Sequence, residues 1–389
     1  MELSRRVLAV KPSVTLEIAA KAKAMKAQGV DVISLSAGEP DFDTPAFIKD
    51  AAISALQKGF TKYTPVPGTV ELRQAVCRKL KRDQGLDFTP EQIVVGCGAK
   101  HVIFNVFFAL LNPGDEVLIP SPYWLSYPEM VTVLGGTSVL LPSTEKTNFK
   151  ITPEILEKAL TPHSKILVLN SPSNPTGAVY SKDELLALCV VLRKHPNVMV
   201  LSDEIYEKLV FDGLKHVSIS SLDPEIAKRT VIVNGHSKAY AMTGWRLGYA
   251  AFQDKALAKA VESIQSHSTS NPVSFSQSGG TVALDQGDAE AGRMCAVFQK
   301  RRDLFISLLK AVPSFRPFKP SGAFYLFVDI QGTGLPAFEV AKRLLDEVHV
   351  AVVPCEPFGS AHHIRMSYAT SEKDIEAAVK RIAGLFPKK

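Results

Sequence analysis

A lysine stands close behind an apolar run, in the stretch NGHSKAYAMTGWR at residues 234–246. The preceding segment, 230–233, is short and β-branched, which is typical of an interior parallel strand. Lys238 therefore lies either on a solvent-exposed loop or in a partly desolvated position, where its amine can act as a nucleophile. The lysine alone favours neither interpretation, and the remainder of the chain has to decide.

Two other predicted strands also end in polar side chains. The run KILVL is followed by NSPSNPTG at 170–177, and VMVL is followed by SDEIY at 202–206. Each group has a structural explanation of its own, since Asn-Pro-Thr-Gly is a good turn sequence and Asp203 could cap a helix. In open parallel sheets ligands bind at the carboxyl ends of the strands, so we expect all three groups to meet in one crevice.

A fourth stretch, VGCGAKH at 95–101, joins a predicted strand to a predicted helix through two glycines. Free backbone N–H groups and the helix dipole make such a turn a site for phosphate. It lacks the third glycine of a dinucleotide fingerprint and the spacing of a P-loop, so neither of those sites is predicted. A phosphate site, a reactive lysine and a carboxylate in one crevice suggest pyridoxal phosphate as the cofactor.

Helical and strand patterns alternate from about residue 45, which predicts an α/β domain with a mainly parallel seven-stranded sheet and helices on both faces. The predicted strands are 93–95, 116–119, 138–141, 165–169, 198–201, 230–233 and 247–252. The predicted helices are 70–84, 101–111, 181–193, 254–265 and one or two helices in 273–311, interrupted near Gly287.

After Pro317 the pattern changes to that of a smaller α+β unit. Its predicted elements are strands in GAFYLFVDI, VAVVP and HIRMSYA and helices at 336–347 and 371–385. A helix at about 15–28 has no sheet of its own and is expected to pack on this unit. We therefore divide the chain into an N-terminal segment 1–44, a large domain 45–285 and a small domain 286–389.

The composition is that of an ordinary globular protein, with 389 residues, 46% hydrophobic and 22% charged. The net charge of +6 is spread without basic blocks, which suits small anionic substrates and not nucleic acid. No signal peptide or membrane span is predicted. The five cysteines have no CxxC spacing, and no HxxxH pair occurs, so we expect reduced thiols in the cytoplasm and no metal site.

Seven motifs, taken together, resemble those of the fold-type-I pyridoxal-phosphate aminotransferases, in that family's order and along nearly the whole chain. Within the family the sequence is most similar to the bacterial aspartate and aspartate/prephenate subgroup. The motifs are SAGEPDF at 36–42, KYTPVPG at 62–68, SPYW at 121–124, NSPSNPTG at 170–177, SDEIYE at 202–207, SKAYAMTGWRLGY at 237–249 and RMSYA at 365–369.

The resemblance implies roles around the cofactor ring. Lys238 would be the Schiff-base lysine and proton shuttle, and Asp203 the partner of the pyridine nitrogen. Tyr206 and Asn174 would donate to the phenolic oxygen, and Trp124 would stack on the ring.

The resemblance also implies a phosphate site, a substrate site and a homodimer with shared active sites. Arg365 would grip the substrate α-carboxylate, a task suited to a guanidinium fork, and Gly38 lies in the segment that closes over the substrate. Tyr63 would reach the phosphate of a neighbouring subunit, which implies a homodimer. The residues at the phosphate would be Gly98, Ala99, Lys100, Ser237 and Arg246.

Two positions depart from the wider family pattern. Gly235 stands where many relatives have a hydroxyl residue, which removes one phosphate donor. Ser266 stands where the animal and enteric aspartate enzymes have an arginine for the distal carboxylate. The subgroup instead uses a lysine, matched by Lys100, with a hydroxyl near Thr15, and this supports a dicarboxylate substrate.

The function implied is transamination between aspartate and 2-oxoglutarate, with prephenate as an additional acceptor. The alternatives are an aminotransferase for aromatic or neutral amino acids and a β-lyase or decarboxylase on the same cofactor. A cofactor-sensing domain of a transcription regulator is disfavoured, because the residues ahead of the first predicted helix are too few for a DNA-binding domain. A nicotinamide dehydrogenase is disfavoured by the missing glycine fingerprint.

Overall fold

The computed structural model describes residues 2–387. Its α-helices are α1 (Arg5–Leu8), α2 (Val14–Ala27), α3 (Ala46–Gln57), α4 (Val70–Gln84), α5 (Ala99–Leu110), α6 (Ser126–Val133), α7 (Pro153–Ala159), α8 (Lys182–Arg193), α9 (Pro224–Ala227), α10 (Lys255–Ser266), α11 (Ser274–Gln286), α12 (Asp288–Leu309), α13 (Ala337–Val348) and α14 (Glu372–Leu385). Its strands are β1 (Ile33–Ser34), β2 (Ile93–Gly96), β3 (Glu116–Ser121), β4 (Thr137–Pro142), β5 (Ser164–Asn170), β6 (Met199–Asp203), β7 (Thr230–Gly235), β8 (Gly248–Phe252), β9 (Arg316–Phe318), β10 (Tyr325–Asp329), β11 (Val350–Ala351), β12 (Val353–Pro354) and β13 (His363–Ser367).

A seven-stranded sheet with the order β2-β8-β7-β6-β5-β3-β4 forms the centre of the fold. Strands β4, β3, β5, β6 and β7 are parallel, whereas β8 runs antiparallel to both of its neighbours. Every residue of β7 is buried, as expected for an interior strand covered on both faces. The predicted α/β class and the mainly parallel seven-stranded sheet are confirmed.

Helices cover both faces of this sheet, and local sequence explains where they begin. Helix α8 starts with a capping box in which Ser181 and Glu184 satisfy each other's backbone N–H groups. Helix α4 is capped by the Thr69 side chain and ends at Gly85, whose φ of 71° is the left-handed conformation that favours glycine. Gly287 separates α11 from α12, so the predicted interruption is confirmed.

A second sheet with the order β12-β13-β10-β9 is antiparallel and packs against α13 and α14. The sequence analysis expected no sheet for the N-terminal segment. The segment nevertheless contains the strand β1, which pairs in parallel with β11. Helix α2 contacts both β11 and β12, which places it on this second unit. Within residues 2–387, no helix is long and apolar enough to cross a membrane.

Candidate active site

A cavity of about 610 Å³ opens at the carboxyl ends of β5, β6 and β7. It is closed on other sides by α2, by the loop before α3 and by β10 and β13 of the second sheet. The predicted site residues that line it are Thr15, Gly38, Ala99, Lys100, Trp124, Asn174, Asp203, Tyr206, Ser237, Lys238, Arg246 and Arg365. Three strand ends thus converge on one crevice, as their sequence predicted.

Lys238 is partly buried at the floor of this cavity. Burial lowers its pKa to about 8, and the nearby positive charge of Arg365 acts in the same direction. Its ammonium donates to the carbonyl of Gly38 and lies 5.9 Å from the ring centroid of Tyr206. A lysine in this position retains a substantial neutral fraction near neutral pH, so it can act as a nucleophile or base.

Asp203 ends strand β6 and is 3% exposed. The hydroxyl of Tyr127 donates to its Oδ2 at 2.6 Å, and the backbone N–H of Ile205 donates to its Oδ1 at 3.2 Å. Burial raises the pKa of Asp203 to about 6, while these two hydrogen bonds lower it. Since Asp203 lines the cavity, it can meet a protonated ring nitrogen there.

Arg365 lies on β13 and is 2% exposed. Its guanidinium donates to Oδ1 of Asn174 at 3.0 Å and to the carbonyl of Ser36 at 3.2 Å. Among residues 2–387, its Nε finds no hydrogen-bond partner. A buried guanidinium with an unused N–H is equipped to bind a carboxylate.

The turn at the start of α5 forms a cradle for an anion. Gly98 has a φ of 91°, and a side chain added there would come within 2.7 Å of the guanidinium of Arg246. Gly248 of β8 lies so close beneath the turn that an added Cβ would be 2.2 Å from the backbone nitrogen of Ala99. The free N–H groups of the first helical turn therefore face the same point as Arg246 and the cavity-lining Ser237.

Gly235, which departs from the wider family pattern, has a packing explanation. It is paired with Gly248 across the antiparallel β7–β8 ladder. A Cβ at this position would lie 2.9 Å from the carbonyl of Leu247, so no hydroxyl side chain fits without movement of the backbone.

Lys100 stands at the mouth of the cavity, 4.9 Å from the ring centroid of Trp124. Desolvation lowers its pKa, and the charge of Arg246 adds to the effect. The hydroxyl of Thr15 on α2, which also lines the cavity, is buried, and within residues 2–387 it has no hydrogen-bond partner. A cation at the cavity mouth and an unused hydroxyl therefore both line the cavity.

Two predicted site residues do not line the cavity. Gly98 contributes only its backbone to the turn below Arg246. Tyr63 is 90% exposed on the loop between α3 and α4, so it takes no part in the cavity of its own chain.

Sequence reasoning assigned no individual role to Tyr127, Asn170 or Tyr325, which also line the cavity. Tyr127 lies three residues after Trp124 on α6, one turn of helix away, and its ring packs edge-on to Trp124 with centroids 5.2 Å apart. The side-chain amide of Asn170 donates to the backbone carbonyl of Asp203 at 3.0 Å. The spacing from Trp124 was the available signal for Tyr127, whereas nothing in GAFYLF distinguished Tyr325 from a core residue.

Behind Asp203, the side chains of Glu204, Glu207 and His216 come together in the way that a metal site would require. Protein donors already occupy their oxygens. Glu204 accepts from Ser202 and Ser218 and approaches His216 at 3.0 Å, and Glu207 forms a buried ion pair with Lys79. These contacts hold the pKa of Glu204 at about 2 against the effect of burial. Groups of the protein thus already pair with both carboxylates of the cluster.

The comparisons with known proteins agree with this geometry. The family model described as aminotransferase class I and II matches residues 30–382. The chain belongs to this family and is therefore a transferase, and the resemblance inferred from its seven motifs is confirmed.

Its relatives are similar over their full length. An aspartate aminotransferase from Geobacillus stearothermophilus is 48% identical over 98% of this chain and 98% of its own. An aspartate/prephenate aminotransferase from Nitrosomonas europaea is 45% identical over 99% and 100%. The solved structure of the Thermus thermophilus aspartate aminotransferase with maleate is 44% identical over 99% and 100%, with a TM-score of 0.95.

Proposed function

We propose that the protein transfers the amino group of aspartate to 2-oxoglutarate, giving oxaloacetate and glutamate, with pyridoxal phosphate as its cofactor. The observation that carries this proposal is the meeting of Lys238, Asp203 and Arg365 in one cavity beside an anion cradle. Relatives of equal length that bear the name aspartate aminotransferase support the choice of substrate.

The residues present fit this cofactor. The turn at Gly98, Ser237 and Arg246 would hold its phosphate, and the buried carboxylate of Asp203 would keep its ring nitrogen protonated. Tyr206, which is 3% exposed, and Asn174 would donate to its phenolic oxygen, and Trp124 would cover its ring. When bound, pyridoxal phosphate supplies an electron sink for the pair of electrons left when a proton leaves the amino acid's α-carbon.

Lys238 carries that proton. Its lowered pKa, about 8, means that the neutral amine is accessible at physiological pH, and its position in the cavity would let it hold the proton beside a bound substrate. The same amine anchors the cofactor between turnovers.

Two cations would select a substrate that has two carboxylates. Arg365 would bind the α-carboxylate through its unused Nε and a further N–H. Lys100, which lines the cavity beside Trp124, would meet the distal carboxylate together with the hydroxyl of Thr15. A dicarboxylic amino acid satisfies both cations, whereas a neutral one leaves Lys100 without a partner.

A second acceptor is favoured by the names of several relatives, which are aspartate/prephenate aminotransferases at 45 to 47% identity. The test is a panel of amino donors assayed with 2-oxoglutarate and with prephenate. We expect aspartate to be the best donor. Preference for an aromatic or neutral donor, or release of the β-substituent of the amino acid, would overturn the proposal.

We also propose a homodimer. Tyr63 is 90% exposed, and α3, the start of α4 and the residue before α11 carry the exposed apolar side chains of Ile53, Leu56, Val70 and Val273. The Phe60 carbonyl accepts a hydrogen bond from Ser274 at 2.8 Å, which ties the loop of Tyr63 to α11. Since α11 packs against both α3 and α4, these exposed apolar side chains come from neighbouring elements, and apolar surface of this kind supports a subunit interface.

We further infer a cytoplasmic location. All five cysteines are free thiols, and Cys189 and Cys355 are buried among core residues. This usage is typical of proteins in a reducing compartment.

A further inference from the structure

Tyr325 contacts two residues of the site at once. Its hydroxyl lies 2.9 Å from the hydroxyl of Tyr206, and its ring centroid lies 4.3 Å from the guanidinium carbon of Arg365. Tyr325 is 1% exposed and lines the cavity. It therefore adjoins both the residue that faces the cofactor's phenolic oxygen and the residue that faces the substrate carboxylate.

The sheet register explains the contact with Arg365. Arg365 on β13 pairs directly with Phe327 on β10, and Tyr325 precedes Phe327 by two residues on the same face. Tyr325 is thus the diagonal cross-strand neighbour of Arg365, a separation that aromatic and long side chains span. Its ring supports one position of the guanidinium, while Asn174 and the Ser36 carbonyl hold two of its N–H groups.

In the hydrogen bond between Tyr325 and Tyr206, the proposed function determines which hydroxyl is the donor. A hydroxyl has a single proton to donate. If Tyr206 donates its proton to the cofactor, the hydrogen bond between the two tyrosines persists only with Tyr325 as the donor. Donation by Tyr325 polarises the Tyr206 hydroxyl and strengthens its own hydrogen bond to the cofactor oxygen.

We propose that Tyr325 is a positioning residue with two separable roles, in which its hydroxyl tunes Tyr206 and its ring aligns Arg365 for the substrate carboxylate. This inference rests on the proposed function, since it assigns supporting roles to residues that act there. The two roles reside in different parts of one side chain, so different substitutions separate them.

The experiment compares Tyr325→Phe with Tyr325→Leu in the cofactor-loaded enzyme, using two readouts other than turnover. The first is the midpoint pH at which the visible absorbance of the bound cofactor changes. The second is the Kd for maleate, an unreactive dicarboxylate. Weakening a donor to the phenolic oxygen destabilises its deprotonated form, so both variants should move the midpoint to higher pH.

Only the loss of the aromatic ring of Tyr325 should weaken the binding of maleate. We expect Tyr325→Phe to bind it within about twofold of the parent, and Tyr325→Leu to bind it about tenfold more weakly. The control is Tyr368→Phe, another fully buried tyrosine of the same unit, whose hydroxyl donates to the Ala323 carbonyl at 3.2 Å. It should change neither readout.

Tyr206→Phe and Arg365→Lys separate failure of this inference from failure of the proposed function. Tyr206→Phe should shift the midpoint pH, and Arg365→Lys should weaken maleate binding. If both do so while neither Tyr325 variant changes the midpoint pH or the maleate Kd, Tyr325 is not a positioning residue. If Phe and Leu at position 325 weaken maleate binding equally, the ring does not align Arg365 and the proposed separation of the two roles is overturned. If Tyr206→Phe and Arg365→Lys themselves change nothing, the proposed function fails, and the inference fails with it.

Discussion

The hydroxyl of Tyr127 donates a 2.6 Å hydrogen bond to Oδ2 of Asp203, and both side chains are almost completely buried. The bond holds the carboxylate at the position from which it faces the cavity. Because the ring of Tyr127 also packs edge-on to Trp124, one side chain supports two surfaces of the proposed cofactor site.

Replacing Tyr127 by Phe should therefore weaken cofactor binding. The buried carboxylate loses a donor worth about 1–3 kcal/mol, and its pKa rises further because that hydrogen bond lowers it. We expect the cofactor Kd to increase by roughly tenfold or more. Absorbance titration of the cofactor-free protein measures this change. An unchanged Kd would show that the hydrogen bond has no part in holding Asp203.

Lys238 should be the residue to which the cofactor is attached. Borohydride reduction of the yellow enzyme is expected to fix cofactor to a peptide that contains Lys238, since its amine has a lowered pKa and faces the cavity. Lys238→Ala should retain cofactor binding through the anion cradle and lose transamination by orders of magnitude. Recovery of the label on another lysine would contradict the assignment.

The charge of Asp203 should make the cofactor-free protein less stable as pH rises. Its pKa is raised from 3.8 to about 6, so the folded state binds a proton between these values that the unfolded state has released. The free energy of unfolding contributed by this group therefore falls as pH increases from about 4 to about 6.

Asp203→Asn removes that contribution. Relative to the parent, the variant should gain up to roughly 3 kcal/mol of stability between pH 4 and pH 7. Urea unfolding of both cofactor-free proteins at the two pH values measures the difference. A difference that does not vary with pH would mean that Asp203 is not desolvated in solution.

Lys100 should determine the preference for dicarboxylates. Lys100→Ala is expected to lower kcat/KM for aspartate and glutamate by roughly thirty- to several-thousandfold, because the distal carboxylate loses its cation at a loss of about 2–5 kcal/mol. Alanine, which has no distal carboxylate, should be affected little, and Lys100→Arg should restore part of the loss. Equal losses for aspartate and alanine would place Lys100 at the cofactor phosphate instead.

If the protein forms the proposed homodimer, we expect two inactive or impaired variants to complement each other's activity when their subunits are mixed. If Tyr63 completes the partner's site, mixtures of Tyr63→Phe and Lys238→Ala protomers should form hybrids in which one site lacks both residues and the other lacks neither. Activity should then vary with mixing ratio in a way that a sum of the two homodimers does not reproduce. A fully active monomer by light scattering would exclude the shared site.

Strand positions and strand-end chemistry could be predicted from the sequence because both depend on local pattern. The β-branched run before Asn234 and the polar groups after Leu169 and Leu201 were sufficient to expect one crevice. The antiparallel direction of β8 could not be predicted, since its apolar run has the same appearance in either orientation. Helix α6 is only eight residues long and carries no clear amphipathic pattern, so Tyr127 was missed with it.

The roles of Tyr127 and Tyr325 could not be predicted because they depend on contacts between distant parts of the chain. Tyr127 meets Asp203 across 76 positions, and Tyr325 meets Tyr206 across 119. No local pattern distinguishes a buried tyrosine that completes a hydrogen bond in the cavity from one that donates to the backbone, as Tyr368 does.

The side chains of residues 203–207, at the end of β6 and just after it, point in two directions. Asp203 and Tyr206 line the cavity, while the residues that follow each of them, Glu204 and Glu207, turn to the buried network around Lys79. Deleting or inserting one residue in this segment would exchange the two sets, bringing carboxylates that need a buried lysine and histidine into the cavity. We therefore expect directed evolution to reject any change in the length of the segment 202–207.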